Sequence, residues 1–312
     1  METTRPGNVR PAAAAAADAL ADAPADAPKG GAALRSTVTT SDGVELPLYR
    51  WPARTPLRGT VALVHGLAEH AGRYAALADR LNPAGIELVA IDLRGHGHAP
   101  GKRVWVKRFD EYLLDAQALL DEAATSCAPL FLMGHSMGGA VAALYAIERL
   151  EASGRRLSGL ILSSPALAPG RDVPRWVLKV SQVISRIWPT FPAMKIDAAL
   201  LSRLQPVVNA NRNDPLVHHG AIPARTGAEL LLAMARIERG RAGLRVPLLV
   251  YHGTADKLTE PEGSRDFGAH AGSADKTLTM HEDSYHETMN DLDRDRVIGA
   301  LIDWIEKRLP KA

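Results

Sequence analysis

A serine flanked by glycines is the strongest chemical signal in the sequence. Gly134, Ser136 and Gly138 form a G-x-S-x-G pattern that follows the apolar run Leu130 to Met133 and precedes a stretch rich in Ala and Leu. In such a strand–turn–helix context the serine lies on a tight turn, so the residues two positions away must be small. The following helix supplies oriented N–H groups. The pattern therefore predicts that Ser136 is a nucleophile.

A serine hydroxyl needs a general base, and the base needs a carboxylate that orients it. Asp256 follows the apolar run Pro247 to Tyr251, in a loop at the end of a predicted strand. The next predicted strand, Lys276 to Met280, is followed by two candidate bases, His281 and His286. We prefer His286, because it lies deeper in the loop and closer to the last helix. His281 remains the alternative.

The tetrahedral intermediate of acyl transfer needs two N–H donors. One predicted donor is the backbone N–H of Met137, directly after the serine. We assign the other to Leu67, in the loop that follows the predicted strand Thr60 to Val64. Together these groups predict hydrolysis of carboxylic esters through an acyl-enzyme, a reaction that needs no metal and no organic cofactor.

Short apolar runs alternate with amphipathic stretches in residues 36–164 and again in residues 246–312. This alternation is typical of a mostly parallel sheet with helices on both faces. At its start, Asp42-Gly43 between alternating residues predicts a hairpin. The chain order Ser, Asp, His is that of the α/β-hydrolase fold. We therefore predict an α/β-hydrolase core made of these two segments.

Residues 165–245 interrupt the alternation and are predicted to form a helical cap inserted after the sixth strand. Within it, Pro174 to Trp188 has the two-sided pattern of an amphipathic helix. We expect its apolar face, which includes Trp176, to pack against the interior. Transient contact with a membrane surface is the alternative. In either arrangement the cap would line the entrance with apolar side chains, which suit an acyl chain.

The first 35 residues are rich in Ala and Pro and predict a disordered tail, because they offer little apolar surface to bury. A secretory signal is the alternative, but Asp18 and Asp22 interrupt the weakly apolar stretch. No run of the sequence approaches the roughly 18 consecutive apolar residues of a membrane-spanning helix.

Charge and cysteine content exclude several classes of site. The 37 Lys and Arg against 35 Asp and Glu give a net charge of +2, which gives no reason to expect a nucleic-acid partner. The single cysteine excludes an internal disulfide framework and fits a cytoplasmic location, with peripheral membrane contact left open. His65, His96 and His98 could in principle bind a metal, but they lack a paired spacing such as H-E-x-x-H, and we predict no metal site.

Six motifs in this chain order resemble the monoacylglycerol lipase family, which is grouped with lysophospholipases and serine aminopeptidase-like hydrolases. The resemblance covers about residues 36–310. It implies hydrolysis of a small single-chain ester or lipid, with a catalytic triad of Ser136, Asp256 and His286. The motifs are His65 to His70 with Arg73-Tyr74, Asp92 to Gly97, Gly134 to Gly139, Asn213 to Leu216, His252 to Asp256, and Tyr285-His286.

The same resemblance implies that Glu69, Arg73 and His135 lie near the glycerol end of the substrate. Without it, Glu69 and Arg73 could form no more than a surface i, i+4 ion pair. Two positions depart from the family pattern: Ala68 stands where glycine is frequent, and Asn211 where some members carry an aromatic residue. The headgroup therefore stays open, with a lysophospholipase or a general carboxylesterase as the alternative. A non-catalytic binding protein on the same fold is disfavoured by the intact Ser, Asp and His candidates.

Overall fold

The computed structural model describes residues 33–170 and 175–310. The strands in these ranges are β1 (Leu34–Thr39), β2 (Glu45–Trp51), β3 (Gly59–Val64), β4 (Ile86–Ile91), β5 (Leu130–His135), β6 (Gly159–Ser163), β7 (Pro192–Met194), β8 (Ile222–Pro223), β9 (Leu248–Gly253) and β10 (Lys276–His281). The α-helices are α1 (Ala75–Leu81), α2 (Asp110–Ala123), α3 (Met137–Glu148), α4 (Arg175–Ile187), α5 (Gln205–Asn213), α6 (Ala224–Gly240), α7 (Pro261–His270) and α8 (Arg294–Glu306).

Eight of the strands form one sheet in the order β1-β2-β4-β3-β5-β6-β9-β10. β2 pairs antiparallel with both β1 and β4, and the other neighbours are parallel. The predicted hairpin joins β1 to β2, and Gly43 in its turn has a φ of +83°. The mostly parallel sheet of an α/β-hydrolase fold is therefore confirmed.

The sheet is covered on both faces because its central strands are mostly apolar on both sides. Every residue of β3, β4, β5, β6 and β9 is buried. In β3, Ala62 and Val64 contribute to the core under α2 and α3. Val61 and Leu63 contribute to the opposite core, under α1 and α8. This arrangement leaves the strand ends as the place for a site.

The carboxyl ends of the parallel strands lie at the same edge of the sheet. Their register pairs Val64 with Gly134 and Gly134 with Leu162 across three neighbouring strands. On the far side of β6, Gly253 at the end of β9 pairs with His281 at the end of β10. The loops after β3, β5, β9 and β10 therefore meet above one edge.

The cap is inserted after the sixth strand, as predicted. It contains α4, α5, α6 and the small antiparallel pair β7–β8, all between β6 and β9. Helix α4 lies within the predicted range Pro174 to Trp188 and contacts α6. The division of the chain at residues 165 and 245 stays a prediction.

The expectation that the apolar face of α4 packs against the interior is wrong for Trp176 and for the residues near the end of the helix. Trp176 is 65% exposed, Ile187 80% and Trp188 59%. The helix buries Ser185 instead, and Val180 and Ile184 border the cavity between the sheet and the cap. Amphipathic periodicity identified the apolar side of α4, but a helix at the rim of the fold has only part of that side covered by neighbours.

The predicted tail of 35 residues lies almost entirely outside the described residues. β1 begins at Leu34, inside the last residues of that predicted tail. Among the helices of residues 33–170 and 175–310, none is both long and apolar enough to cross a membrane.

Candidate active site

Ser136 lies on a sharp turn between β5 and α3, with φ +54° and ψ −121°. The flanking glycines are required by close backbone contacts. A Cβ on Gly134 would lie 2.2 Å from the carbonyl oxygen of Gly138, and a Cβ on Gly138 would lie 2.1 Å from that of Val64. The strained turn raises the serine above the carboxyl edge of the sheet at the start of a helix.

Asp256 and His286 are brought together by the loops after β9 and β10. His286 Nδ1 lies 2.7 Å from Asp256 Oδ2, and both side chains are buried. Asp256 Oδ1 also accepts hydrogen bonds from the backbone N–H groups of Leu258 at 2.7 Å and Thr259 at 3.1 Å. An ionised carboxylate only accepts, so Nδ1 of His286 carries the proton and Nε2 is left to accept one.

The electrostatics of this pair suit a general base. Burial disfavours the charged form of His286, but the Asp256 carboxylate outweighs it and raises the pKa of His286 above its ordinary value. Burial alone would raise the pKa of Asp256, yet the charge of His286 and the hydrogen bond from His252 hold that pKa well below its usual range. Asp256 is therefore the fixed charge of the pair.

The alternative base, His281, lies elsewhere. It ends β10 and borders a small separate pocket beside α8, together with Tyr251 and Trp304. Its ring packs edge-on to that of Tyr251, with 6.2 Å between centroids. The structure thus brings His286, and not His281, next to Asp256.

All eight residues predicted for the site border one cavity of about 1280 Å³ between the sheet and the cap. This volume exceeds the roughly 300–1,000 Å³ of common small-molecule pockets. The predicted residues on its wall are Leu67, Glu69, Arg73, His135, Ser136, Met137, Asp256 and His286.

Much of the cap side of the cavity is apolar. Its wall there is formed by side chains from α4, from the β7 region and from α6, namely Val180, Ile184, Phe191, Met194, Leu230 and Met234. A hydrocarbon chain would leave water for this surface, at a gain of roughly 25 cal/mol for each Å² of apolar area buried.

The loop that carries Leu67 is held by two side chains. Leu93 N–H donates to His65 Nε2 at 3.0 Å, so Nδ1 of His65 carries the proton and donates to the carbonyl of Gly66 at 2.7 Å. Glu69 Oε1 accepts the N–H of Gly66 at 2.6 Å. The Gly66 carbonyl and the Leu67 N–H belong to one trans peptide and point in opposite directions. With the carbonyl turned to His65, the Leu67 N–H points away from that ring.

Glu69 and Arg73 belong to a buried network rather than to a solvated surface pair. Arg73 Nη1 lies 2.6 Å from Glu69 Oε2 and 2.8 Å from a carboxylate oxygen of Glu287. The Tyr74 hydroxyl donates to Glu69 Oε1 at 2.8 Å. Burial would raise the pKa of Glu69, but the charge of Arg73 lowers it, so the carboxylate remains ionised. A direct contact of Glu69 or Arg73 with substrate stays a prediction.

His135 lies directly beside the His286 ring, with 4.8 Å between the ring centroids. Its Nδ1 is 3.1 Å from the hydroxyl of Ser163. Burial and the neighbouring His286 lower the pKa of His135 to about 4, so the ring is neutral near pH 7. A neutral imidazole has one N–H donor and one acceptor nitrogen, and an uncharged alcohol can bond to either.

The two departures from the family pattern both border the cavity. Ala68 has a φ of +68°, a left-handed conformation that glycine adopts without strain. Asn211 is buried on the cap side of the wall.

Two of the three histidines considered for a metal, His65 and His96, have ring nitrogens bonded to the backbone. Both ring nitrogens of His65 lie within hydrogen-bond distance of backbone groups, and His96 Nδ1 is 3.0 Å from the carbonyl oxygen of Arg94.

No role was predicted for Glu287, His252 or Thr259, although His252 is the first residue of one of the six motifs. The first pairs with Arg73, and the other two bond to Asp256. The only local signal was the spacing of four residues between His252 and Asp256.

Comparison with known proteins agrees with this architecture. The family model described as serine aminopeptidase, S33, matches residues 55–293. The monoacylglycerol lipase of Mycolicibacterium smegmatis is 35% identical over 269 residues, which are 86% of this chain and 95% of that protein. A phospholipase of Bacillus subtilis is 31% identical over 258 residues, 81% of this chain and 96% of that protein.

Among solved structures, the monoacylglycerol lipase of Paleococcus ferrophilus is 35% identical, with a TM-score of 0.72, over 84% of this chain and 99% of that chain. The sequence motifs, the fold and these similarities agree. The chain belongs to the serine aminopeptidase S33 family of α/β-hydrolases, within the monoacylglycerol lipase-like group.

Proposed function

We propose that the protein is a serine hydrolase that cleaves single-chain carboxylic esters, with monoacylglycerols as its substrate class. The observation that carries the proposal is the 2.7 Å contact between His286 Nδ1 and Asp256 Oδ2, in the same cavity wall as Ser136 on its strained turn. This contact supports a nucleophile, base and orienting carboxylate in the roles that the sequence predicts.

In the first half of the reaction, Ser136 Oγ attacks the ester carbonyl and its proton passes to His286 Nε2. The oxyanion is stabilised by the N–H groups of Leu67 and Met137. Collapse of the tetrahedral intermediate breaks the ester bond, and the leaving alcohol takes the proton from His286. In the second half, water attacks the acyl-enzyme with His286 as the base, and the carboxylic acid is released.

The shape and polarity of the cavity support a lipid ester. The apolar cap side suits an acyl chain, and the polar side around Glu69, Arg73 and His135 suits an alcohol headgroup. The relatives named monoacylglycerol lipase favour glycerol as that alcohol. The phospholipase relative makes a lysophospholipase the second candidate.

The test compares hydrolysis of monoacylglycerols, lysophospholipids and aryl esters of graded acyl length, with Ser136→Ala as the control. We expect the highest kcat/KM for a monoacylglycerol with a medium or long chain and no activity in Ser136→Ala. A preference for lysophospholipids would favour the second candidate, and a preference for very short aryl esters would overturn the lipase assignment.

The proposal also includes contact between the cap and a lipid surface, made through α4. The exposed Trp176, Val183, Ile187 and Trp188 form an apolar patch beside the cavity, next to the exposed Arg186. Such a face suits the boundary between headgroups and acyl chains.

Ile187→Asp is expected to weaken binding to lipid vesicles and to slow hydrolysis of vesicle-borne monoacylglycerol, without affecting a soluble aryl ester. Thr190→Asp, at an exposed position of the same segment, is the matched control. Equal behaviour of the two variants on vesicles would contradict membrane contact through α4.

A further inference from the structure

A second histidine contacts the carboxylate of Asp256. His252, the second-last residue of strand β9, is fully buried. Its Nε2 lies 2.9 Å from Asp256 Oδ2. Its Nδ1 lies 2.7 Å from the hydroxyl of Ser264 on α7. His252 thus joins the loop of Asp256 to a helix that packs behind it.

The hydrogen-bond partners determine which nitrogen carries the proton. Asp256 Oδ2 only accepts, so Nε2 of His252 must donate to it. The Ser264 hydroxyl lies within hydrogen-bond distance of Nδ1, so both nitrogens of the ring are engaged. His252 therefore has no nitrogen to offer to Ser136 or to a substrate, and it is not a second base.

The contact matters because Asp256 Oδ2 is shared. It accepts from His286 Nδ1 at 2.7 Å, from His252 Nε2 at 2.9 Å and from Thr259 Oγ1 at 2.7 Å. The donors from His252 and Thr259 stabilise the negative charge of the carboxylate and so reduce its ability to stabilise an imidazolium at His286. The donor from His252 also fixes the position of Oδ2, since the ring itself is held by Ser264.

We propose that His252 is a positioning residue that shares Asp256 Oδ2 with His286 and limits the charge which that oxygen presents to the base. His252 thereby sets the pH at which His286 becomes able to accept a proton. The inference rests on the proposed function, since it assigns the role of the base to His286. The other titratable groups facing His286 are Glu287, Glu69 and His135.

Two substitutions of similar size separate hydrogen bonding from packing. His252→Gln places an amide N–H near the position of Nε2 and keeps a donor to Asp256. His252→Asn places its amide near the position of Nδ1, so it keeps a partner for Ser264 but does not reach Asp256. Both remove the ring and should lower thermal stability by similar amounts.

The measurement is the pH dependence of kcat/KM for a soluble aryl ester. His252→Gln should keep the acidic limb of wild type. His252→Asn should move that limb to higher pH by about half a unit or more, because Asp256 loses one donor and stabilises the His286 imidazolium more strongly. Coincident limbs in the two variants, or a limb that moves to lower pH in His252→Asn, would overturn the inference.

A measurement on the unmodified protein covers the case in which His252→Asn does not fold. In ¹⁵N NMR of labelled histidines, Nε2 of His252 should be protonated throughout the pH range of activity. An unprotonated Nε2 would overturn the inference. Failure of this inference can be told apart from failure of the proposed function, because only failure of the proposed function would leave Ser136→Ala active.

Discussion

Glu69→Gln tests how the oxyanion loop is held. The carboxylate of Glu69 accepts from three donors: the N–H of Gly66, the hydroxyl of Tyr74 and the guanidinium of Arg73. A glutamine replaces one acceptor oxygen by an NH₂ group, so at least one of these donors would face another donor. Where the NH₂ group takes the position of Oε1, the Gly66 N–H loses its acceptor one residue from the predicted oxyanion donor of Leu67, and the loop shifts.

The size of the effect of Glu69→Gln on stability depends on which charged groups keep a partner. Arg73 keeps Glu287, with contacts of 2.8 and 2.9 Å, so the variant leaves no orphaned guanidinium and avoids the roughly 3–5 kcal/mol cost of an uncompensated buried charge. Loss of charge-assisted hydrogen bonds should cost about 1.5–3 kcal/mol. For a domain of this size that cost corresponds to a fall in Tm of roughly 3–5 °C. Misplacement of one oxyanion donor should lower kcat by roughly ten- to hundredfold.

The assay compares two esters of the same fatty acid, one of glycerol and one of p-nitrophenol. If Glu69 acts by holding the loop, Glu69→Gln should lower kcat/KM for both esters by the same factor. If Glu69 binds the glycerol headgroup, only the glycerol ester should suffer. Unchanged hydrolysis of the aryl ester would refute the reasoning, and Glu151→Gln, at an exposed position, is the control.

Two further predictions concern the base. The Asp256 carboxylate raises the pKa of His286, so the acidic limb of kcat/KM should lie above pH 6.5, the ordinary histidine value, with activity lost as the pH falls through it. In Asp256→Asn the acidic limb should move to lower pH, because burial of His286 then acts without the charge of Asp256. In the same variant kcat should fall by roughly 10⁴-fold. A limb that does not move would contradict the assignment. His286→Ala should abolish acylation measured as the burst of aryl alcohol, whereas His281→Ala should keep it; the reverse result would make His281 the base.

The alternation of strands and helices could be predicted closely from the sequence. The predicted strand Thr60 to Val64 matches β3 to within one residue, and α7 begins at Pro261. A strand buried on both faces needs a continuous apolar run, and a helix start needs a local signal such as Pro261. Both requirements concern residues that are neighbours in the chain, so local sequence is enough to predict these elements.

The turn of Ser136 was also predictable, because its constraint is local. Gly134 and Gly138 are needed for backbone contacts within a few residues of the serine and with the adjacent strand. The motif therefore indicates its geometry before any tertiary structure is known.

The partners of the charged groups could not be predicted in this way. Glu287 meets Arg73 across 214 residues of chain, and Thr259 meets His286 only through the meeting of two loops. Such contacts depend on the register of strands and on loop conformation. The exposure of Trp188 and Ile187 was missed for a related reason: periodicity states which side of a helix is apolar, but not what covers it.

The central claim is that Ser136 is the nucleophile and that His286 activates it. The most direct measurement is labelling with a long-chain fluorophosphonate, followed by mass spectrometry of the peptide that contains Ser136. The account predicts one phosphonate per chain on that serine, much slower labelling in His286→Ala and no labelling in Ser136→Ala. Labelling of a different residue, or ester hydrolysis by Ser136→Ala at the rate of the unmodified protein, would contradict it.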